Sequence, residues 1–264
     1  MKFHDSWEIP QYDVQEFKPK ATKYAVCVFL INEGDKIKKQ LTKMATQADL
    51  ADIIIADGGS TDGSLSEELL QQSGVTALLT KREPGKLGTQ MRMAFAYCLQ
   101  QGYEGVIVVD GNNKDDTTAI PLFIQALDDG FDHIQGSRFV PGGQAINTPI
   151  ERLVGVHLLH APVVSLSAGR RYTDTTNGFR AYSKKLLTHE QMAVFRKVFT
   201  GYELHYYLAI RSANLGLKSK EVPVKRQYPK NSPTPTKISP VKGNLGVLKV
   251  LFKAALHRYD PKSK

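Results

Sequence analysis

Apolar residues come in solid blocks through the first half of the chain, and the blocks alternate with stretches of helical period. Tyr24-Ala25-Val26-Cys27-Val28-Phe29-Leu30-Ile31 is apolar throughout and closes on Asn32-Glu33-Gly34. A run so rich in β-branched and aromatic residues predicts a strand buried on both faces. Over Lys36–Gln47 the pattern changes, with Ile37, Leu41 and Met44 at helical spacing. The alternation then repeats, with strands over 52–56, 75–79 and 106–109 and helices over Leu65–Gln72 and Gly88–Gln101. Strands separated by such helices predict parallel βαβ units.

Further along, Pro121–Leu127 reads as a helix and His133–Phe139 as a strand running into a glycine-rich loop. Residues 150–169 predict a mainly apolar helix broken at Pro162, which lacks the N–H a helix interior needs. Val222–Val241 carries Pro223, Pro229, Pro233, Pro235 and Pro240 and is expected to be extended or looped. A last amphipathic helix spans Asn244–Tyr259. The expected fold is α/β, with a mostly parallel central sheet flanked by helices. It is organised as an N-terminal extension (1–22), a main domain (23–240) and a basic helical C-terminal extension (241–264).

Composition adds limits. At 264 residues and 41% hydrophobic, the chain can bury a sizeable core. No window approaches the ~18 apolar residues of a membrane span, and Met1–Pro19 has no apolar segment of the signal-peptide kind. Cys27 and Cys98 lie inside apolar patterns and suit buried free thiols in the cytoplasm. No Cys/His spacing resembles a zinc site. The net charge of +9 is concentrated: Lys218–Lys264 holds twelve Lys/Arg against Glu221 and Asp260. A basic tail on a near-neutral body points to an anionic partner, either a membrane surface, a nucleic acid or a phosphorylated substrate. Basic–aromatic interleaving and any recognisable nucleic-acid module are lacking, so no nucleic acid is expected.

The candidate chemistry sits where strands end. Asp57-Gly58-Gly59-Ser60-Thr61-Asp62-Gly63-Ser64 follows the second strand and places an acid and two glycines at the edge where open α/β sheets bind ligands. The bland alternative is a well-capped strand-to-helix turn. Asp110 ends the fourth strand and opens Asp110-Gly111-Asn112-Asn113-Lys114-Asp115-Asp116. That is a set of oxygen ligands for a hard cation such as Mg²⁺ or Mn²⁺, or a loop whose acids cap the next helix. Arg138, between glycine turns, is placed to grip phosphate or else lies at the surface. Asp174, in Thr173–Tyr182, and Glu203, before an apolar helix, are candidate acids, and Glu203 could equally cap that helix. His157 and His160 suit a core or groove better than a metal pair.

In order, these segments resemble the inverting family 2 glycosyltransferases of GT-A fold. They are similar in particular to the branch of dolichol-phosphate mannosyltransferases and polyprenyl-phosphate glycosyltransferases. Asn32-Glu33, the octet from Asp57, Asp110, Gly136-Ser137-Arg138-Phe139, Asp174 through Asn177-Gly178-Phe179-Arg180, and Glu221-Val222-Pro223-Val224 carry the resemblance, over about residues 22–240. It implies a nucleotide-sugar donor, with Asn32, Glu33, Asp57, Gly58 and Gly59 around base and ribose. It places Asp110 and Asn112 at the metal and diphosphate, Arg138 on phosphate, and Asp174 to Arg180 around the sugar phosphate. One departure stands out. The family's second metal Asp is Asn112 here and a following Gln is Lys114, whose charge could bear directly on the diphosphate. A phosphate acceptor needs no general base, whereas a glycan hydroxyl needs one, for which Asp174 or Glu203 are candidates. In the last helix Leu245, Leu248, Phe252, Ala255 and Tyr259 share a face opposite Lys242, Lys249, Lys253 and His257. That pattern predicts either a helix lying on an anionic bilayer, which would make the protein peripheral at the inner membrane face, or one packed on the domain. A non-catalytic nucleotide-sugar binder of the same fold is the competing reading.

Overall fold

The computed structural model describes residues 6–230 and 242–262, the side chains of 242–244 excepted. Pro233, Pro235, Pro240 and the expected boundary at 240/241 lie outside the described residues, as do Met1–Asp5 of the N-terminal extension and the Lys242 side chain. The chain runs through β1 (Tyr12–Glu16), β2 (Tyr24–Leu30), α1 (Asp35–Met44), β3 (Asp52–Asp57), α2 (Glu67–Gln72), β4 (Val75–Lys81), α3 (Leu87–Gln100), β5 (Gly105–Asp110) and α4 (Ile120–Asp128). It continues through β6 (His133–Ser137), β7 (Gln144–Ile146), α5 (Ile150–Gly155), α6 (Ala161–Ala168), β8 (Arg180–Ser183), α7 (Lys184–Thr188), α8 (Glu203–Asn214), β9 (Ser219–Pro223), β10 (Lys225–Gln227) and α9 (Lys242–Ala255). Eight strands form one sheet in the order β1-β4-β3-β2-β5-β8-β6-β9, and β7 and β10 pair separately.

The apolar blocks become strands because both of their faces are covered. Ala25, Cys27 and Phe29 of β2 enter one core with α3, α8 and residues of α9; Tyr24, Val26, Val28 and Leu30 enter the other with α1 and α4. The β2, β3, β4 and β5 pairings are parallel, as the alternation predicts. Five strands are additions to the sequence reading: β1 on the outer edge of β4 and β8 between β5 and β6, both antiparallel, then β9 parallel to β6, and the parallel pair of β7 and β10. Cys27 and Cys98 are buried free thiols with sulfurs 3.5 Å apart.

Pro162 does not break its helix. Residues Val156–His160 form a π-helical turn between α5 and α6. The wider turn takes up the irregularity that the proline ring and its missing N–H impose, so the chain stays helical from Ile150 to Ala168. The last helix takes the packed one of its two expected placements, with its buried face shifted. Packed against α8 and α6, α9 buries Leu251 and Ala254, with Val247 and Leu248 partly covered. The burying face is thus rotated from the expected stripe, and Leu245 and Phe252 of that stripe face solvent together with Leu256.

His133 on β6 is completely buried between the rings of Tyr172 and Tyr182, and neither ring nitrogen has a hydrogen-bond partner among the described residues. Burial, and then the charges of Arg180 and Arg170, hold its pKa well below the ordinary histidine value. The neutral form therefore folds. Below about pH 6.5 the unfolded chain takes up a proton that the native chain refuses, so stability falls with pH by up to about 1.4 kcal/mol per unit from this residue. Urea unfolding at pH 7.5 and 5.5 should show that loss, and His133→Phe should flatten it.

Candidate active site

Because β3, β2 and β5 are adjacent and parallel, their carboxyl ends bring Asp57, Asn32-Glu33 and Asp110 to one edge. Two glutamines from the flanking helices set that edge. The Gln90 amide of α3 donates to the carbonyls of Leu30 and Ala56, at 2.8 and 2.9 Å, tying the ends of β2 and β3. Gln40 of α1 donates to the Asp110 carbonyl and accepts from the Asn113 N–H. A Cβ on Gly58 would lie 3.2 Å from the Gln90 amide nitrogen, so the glycine there permits this close approach.

The octet is braced against the β2 loop. Both Asp57 carboxylate oxygens accept from Ser60, one from its N–H at 2.8 Å and the other from its hydroxyl at 2.6 Å. Asn32 donates its N–H to Ser60 Oγ and accepts from the Thr61 N–H, while Asp62 accepts from Gly34. Glu33 pairs with Lys36 at 3.3 Å. Asp57 thus shapes the turn that carries Gly58 and Gly59 to the sheet edge.

Around Asp110 the structure gathers a cluster whose cations the sequence reading only partly found. Arg226 of β10, almost fully buried, donates to Asp110 Oδ2 at 3.2 Å and to Asp115 Oδ2. Burial would lower the Arg226 pKa, but Asp115 and Asp110 overcome it and raise it. Asp115, itself buried, is raised by desolvation despite the opposing guanidinium. Backbone bonds from Asp116 to Lys225 and from Gln227 to Lys114 join the two segments. Lys114 lies 5.2 Å from the Tyr228 ring, and the Arg152 and Arg226 guanidinium carbons lie 5.7 and 5.8 Å from it. Burial, followed by Arg226, lowers the Lys114 ammonium to about 8. Tyr202 also sits close enough for Asp110 to raise its hydroxyl, after burial. Arg226 had a legible signal: Val222, Val224, Arg226 and Tyr228 alternate, and all four are buried. A charge in the apolar register of a strand needs a buried partner.

The other expected residues are used differently. Arg138 does not face the cleft as a phosphate grip, and Asp174 is not a free base. They form a bidentate pair, Nε to Oδ2 at 2.7 Å and Nη2 to Oδ1 at 3.0 Å, with side-chain exposures of 2% and 0%. The shape is that of a planar fork on a carboxylate. Glu221 of β9 supports this loop by accepting from the N–H groups of Thr173 and Asp174. Arg180, fully buried, donates to the carbonyls of Asn177, His205 and Thr175, so it staples loops rather than binding nucleotide. Glu203, the first residue of α8, accepts from the Gly201 N–H just before the helix, and the start of α8 carries no side-chain cap among the described residues.

The loop that Arg180 staples lies against Asp110. A Cβ on Gly178 would stand 3.0 Å from Asp110 Oδ1 and 3.3 Å from its Cγ. Gly178→Ala should therefore push the Asp110 carboxylate aside and cut sugar transfer by about 10- to 100-fold, the scale of a misplaced reacting group. Transfer rates compared at saturating donor, with Tm measured alongside, check this.

No family model matches the chain. Glucosyl-3-phosphoglycerate synthase from Mycobacterium tuberculosis, solved in complex with Mn²⁺, uridine diphosphate and phosphoglyceric acid, superposes with a TM-score of 0.62 at 19% identity. That match covers 91% of this chain and 80% of the other, and it shows the fold. The chain is 25% identical to the glycosyltransferase AglJ of Haloferax volcanii over 89% of its own length and 73% of the relative's. It is 30% identical to the polyprenol monophosphomannose synthase of Mycolicibacterium smegmatis over 65% of each. The chain is a glycosyltransferase of GT-A fold. In this glycosyltransferase, among the described residues, no group of three or more His, Cys, Asp or Glu side chains converges on a metal position. Asp110 is the one acid of the expected metal pair, and Asn112 turns its amide nitrogen, a donor, toward it at 3.3 Å. The donor set does not fit a divalent cation site built from protein carboxylates. Nor is any helix of the described residues long and apolar enough to cross a membrane.

Proposed function

We propose that the enzyme transfers a hexosyl group, with inversion, from a nucleoside diphosphate sugar to the phosphate of a polyprenyl phosphate. The observation that carries the reading is the balance of groups in the cleft. The two candidate bases are occupied, Asp174 by Arg138 and Glu203 by the Gly201 N–H, while Lys114, Arg152 and Arg226 gather around the Tyr228 ring and Arg226 reaches on to Asp110. A site rich in cations and short of a free base suits an acceptor that is ionised at pH 7. A phosphate oxygen attacks the anomeric carbon from the face opposite the leaving group. The bond from that carbon to the diphosphate oxygen breaks, and its electron pair leaves with the diphosphate. Fixed cations offset the charge that develops there.

The surface supports a lipid-linked acceptor at an anionic bilayer. Ile150, Val154 and Leu158, spaced by four along α5 and the turn after it, are exposed, at 76% for Ile150 and Leu158. Leu166 on α6 and Leu245, Phe252 and Leu256 at α9 add to this apolar surface, with Lys249 and Lys253 on α9. Exposed apolar groups beside lysines suit a helix lying in the interface of an anionic membrane. Arg152 belongs to α5, so the same helix reaches the charged cluster.

The test offers nucleoside diphosphate sugars with polyprenyl phosphate, the corresponding polyprenol and a soluble glycan. Labelled lipid is expected only with the phosphate, and its formation should be lost in Asp110→Ala. Transfer to the glycan alone, or to no acceptor, overturns the reading.

A further inference from the structure

The chemistry around Asp110 is arranged for an anion rather than for a metal ion. Asp110 Oδ2 already faces two donors, the Asn112 amide at 3.3 Å and Arg226 at 3.2 Å. The Asn112 oxygen is turned away to accept from the Lys114 N–H. Asp115, the nearest other acid of that loop, is buried and held by the same arginine. A hard divalent cation needs oxygen atoms aimed at one point, and here the Asn112 amide and the Arg226 guanidinium are aimed at Asp110 Oδ2 instead. Lys114, Arg152 and Arg226 share the Tyr228 ring within 5.8 Å, which holds three cations in one small volume, and Arg226 ties that volume to Asp110 and Asp115.

That concentration of cations suits a ligand bringing two or three negative charges of its own. Guanidinium forks bind phosphate oxygens bidentately, and a partly buried lysine adds a point charge. We propose that Lys114, Arg152 and Arg226 hold the donor's diphosphate in place of a divalent cation, so that nucleotide binding by this chain is independent of metal. The proposal rests on the glycosyltransferase reading and deepens it. Asn112 and Lys114 are then the residues that set the difference between metal-held and protein-held diphosphate.

Isothermal titration of UDP, GDP, ADP, CDP and dTDP into the full-length chain, in EDTA and then in Mn²⁺, tests it. At least one nucleotide should bind with a Kd that differs by less than about threefold between the two conditions. Lys114→Gln should weaken binding at least tenfold in EDTA, and Arg152→Gln, at a partly exposed position on α5, should weaken it similarly. The double variant N112D/K114Q restores a second carboxylate and removes the lysine, and it should bind in Mn²⁺ but tenfold or more weakly in EDTA. Wild-type binding that EDTA abolishes and Mn²⁺ restores overturns the proposal alone. Absence of binding by every nucleotide in both conditions overturns it together with the transferase reading.

Discussion

Asp174→Asn should cost the fold about 3–5 kcal/mol, measured by urea unfolding at pH 7, because it leaves the buried Arg138 charge without its counter-ion. Native domains are stable by only about 5–15 kcal/mol, so the variant should lie near the edge of folding. The expectation follows from geometry and burial together. The bidentate pair has no solvent to screen it, and Asp174 also accepts from the N–H groups of Thr176 and Asn177. Burial by itself would lower the Arg138 pKa, yet the hydrogen bond and charge of Asp174 raise it. Arg138→Met should be comparably damaging. The double variant R138M/D174L, which removes both charges, should recover much of the loss, because the heaviest penalty belongs to an unpaired buried ion. Singles that lose under 1 kcal/mol would contradict a buried structural pair.

Arg226→Met should be the second large effect. It strands the fully buried Asp115 carboxylate, whose Oδ1 already lacks a partner among the described residues, and takes a donor from Asp110. A loss of about 3–5 kcal/mol is expected in unfolding. Arg226→Lys should restore stability only in part, since an ammonium cannot span two carboxylates with a planar fork. The same two variants should raise the Kd for the nucleotide that the wild type binds, and thermal-shift titration reads this separately from the stability change. An Arg226→Met protein as stable as wild type would refute the triad.

How much of this was legible depends on whether a residue's role is set by its near neighbours in sequence. β2, β3 and β5 could be read because burial on both faces leaves unbroken apolar runs, and the acids at their ends follow from the strand boundaries. β1 could not, since four of its five residues are exposed and an edge strand needs no apolar run. β8 was hidden because its first residue is an arginine, made tolerable in the core by three carbonyls supplied from elsewhere. The site divides in the same way. That Asp57, Asp110 and Asp174 occupy loops was evident, but their partners were not. Arg138 meets Asp174 across 36 residues and Arg226 meets Asp110 across 116, distances over which no local spacing rule operates. Pro162 is a milder case: the proline was seen, and the π turn that accommodates it was not.

β9 and β10 are separated only by Val224, yet they hold two different loops. Glu221 on β9 holds the Thr173-Asp174 backbone, and Arg226 on β10 holds Asp110 and Asp115. The two loops therefore share one seam of seven residues, Glu221 to Gln227. A substitution that shifts this seam changes both loops at once, so the Thr173-Asp174 backbone and the Asp110 cluster are mechanically geared together. Grafts that aim to change one loop will keep the other only if the seam is carried across intact.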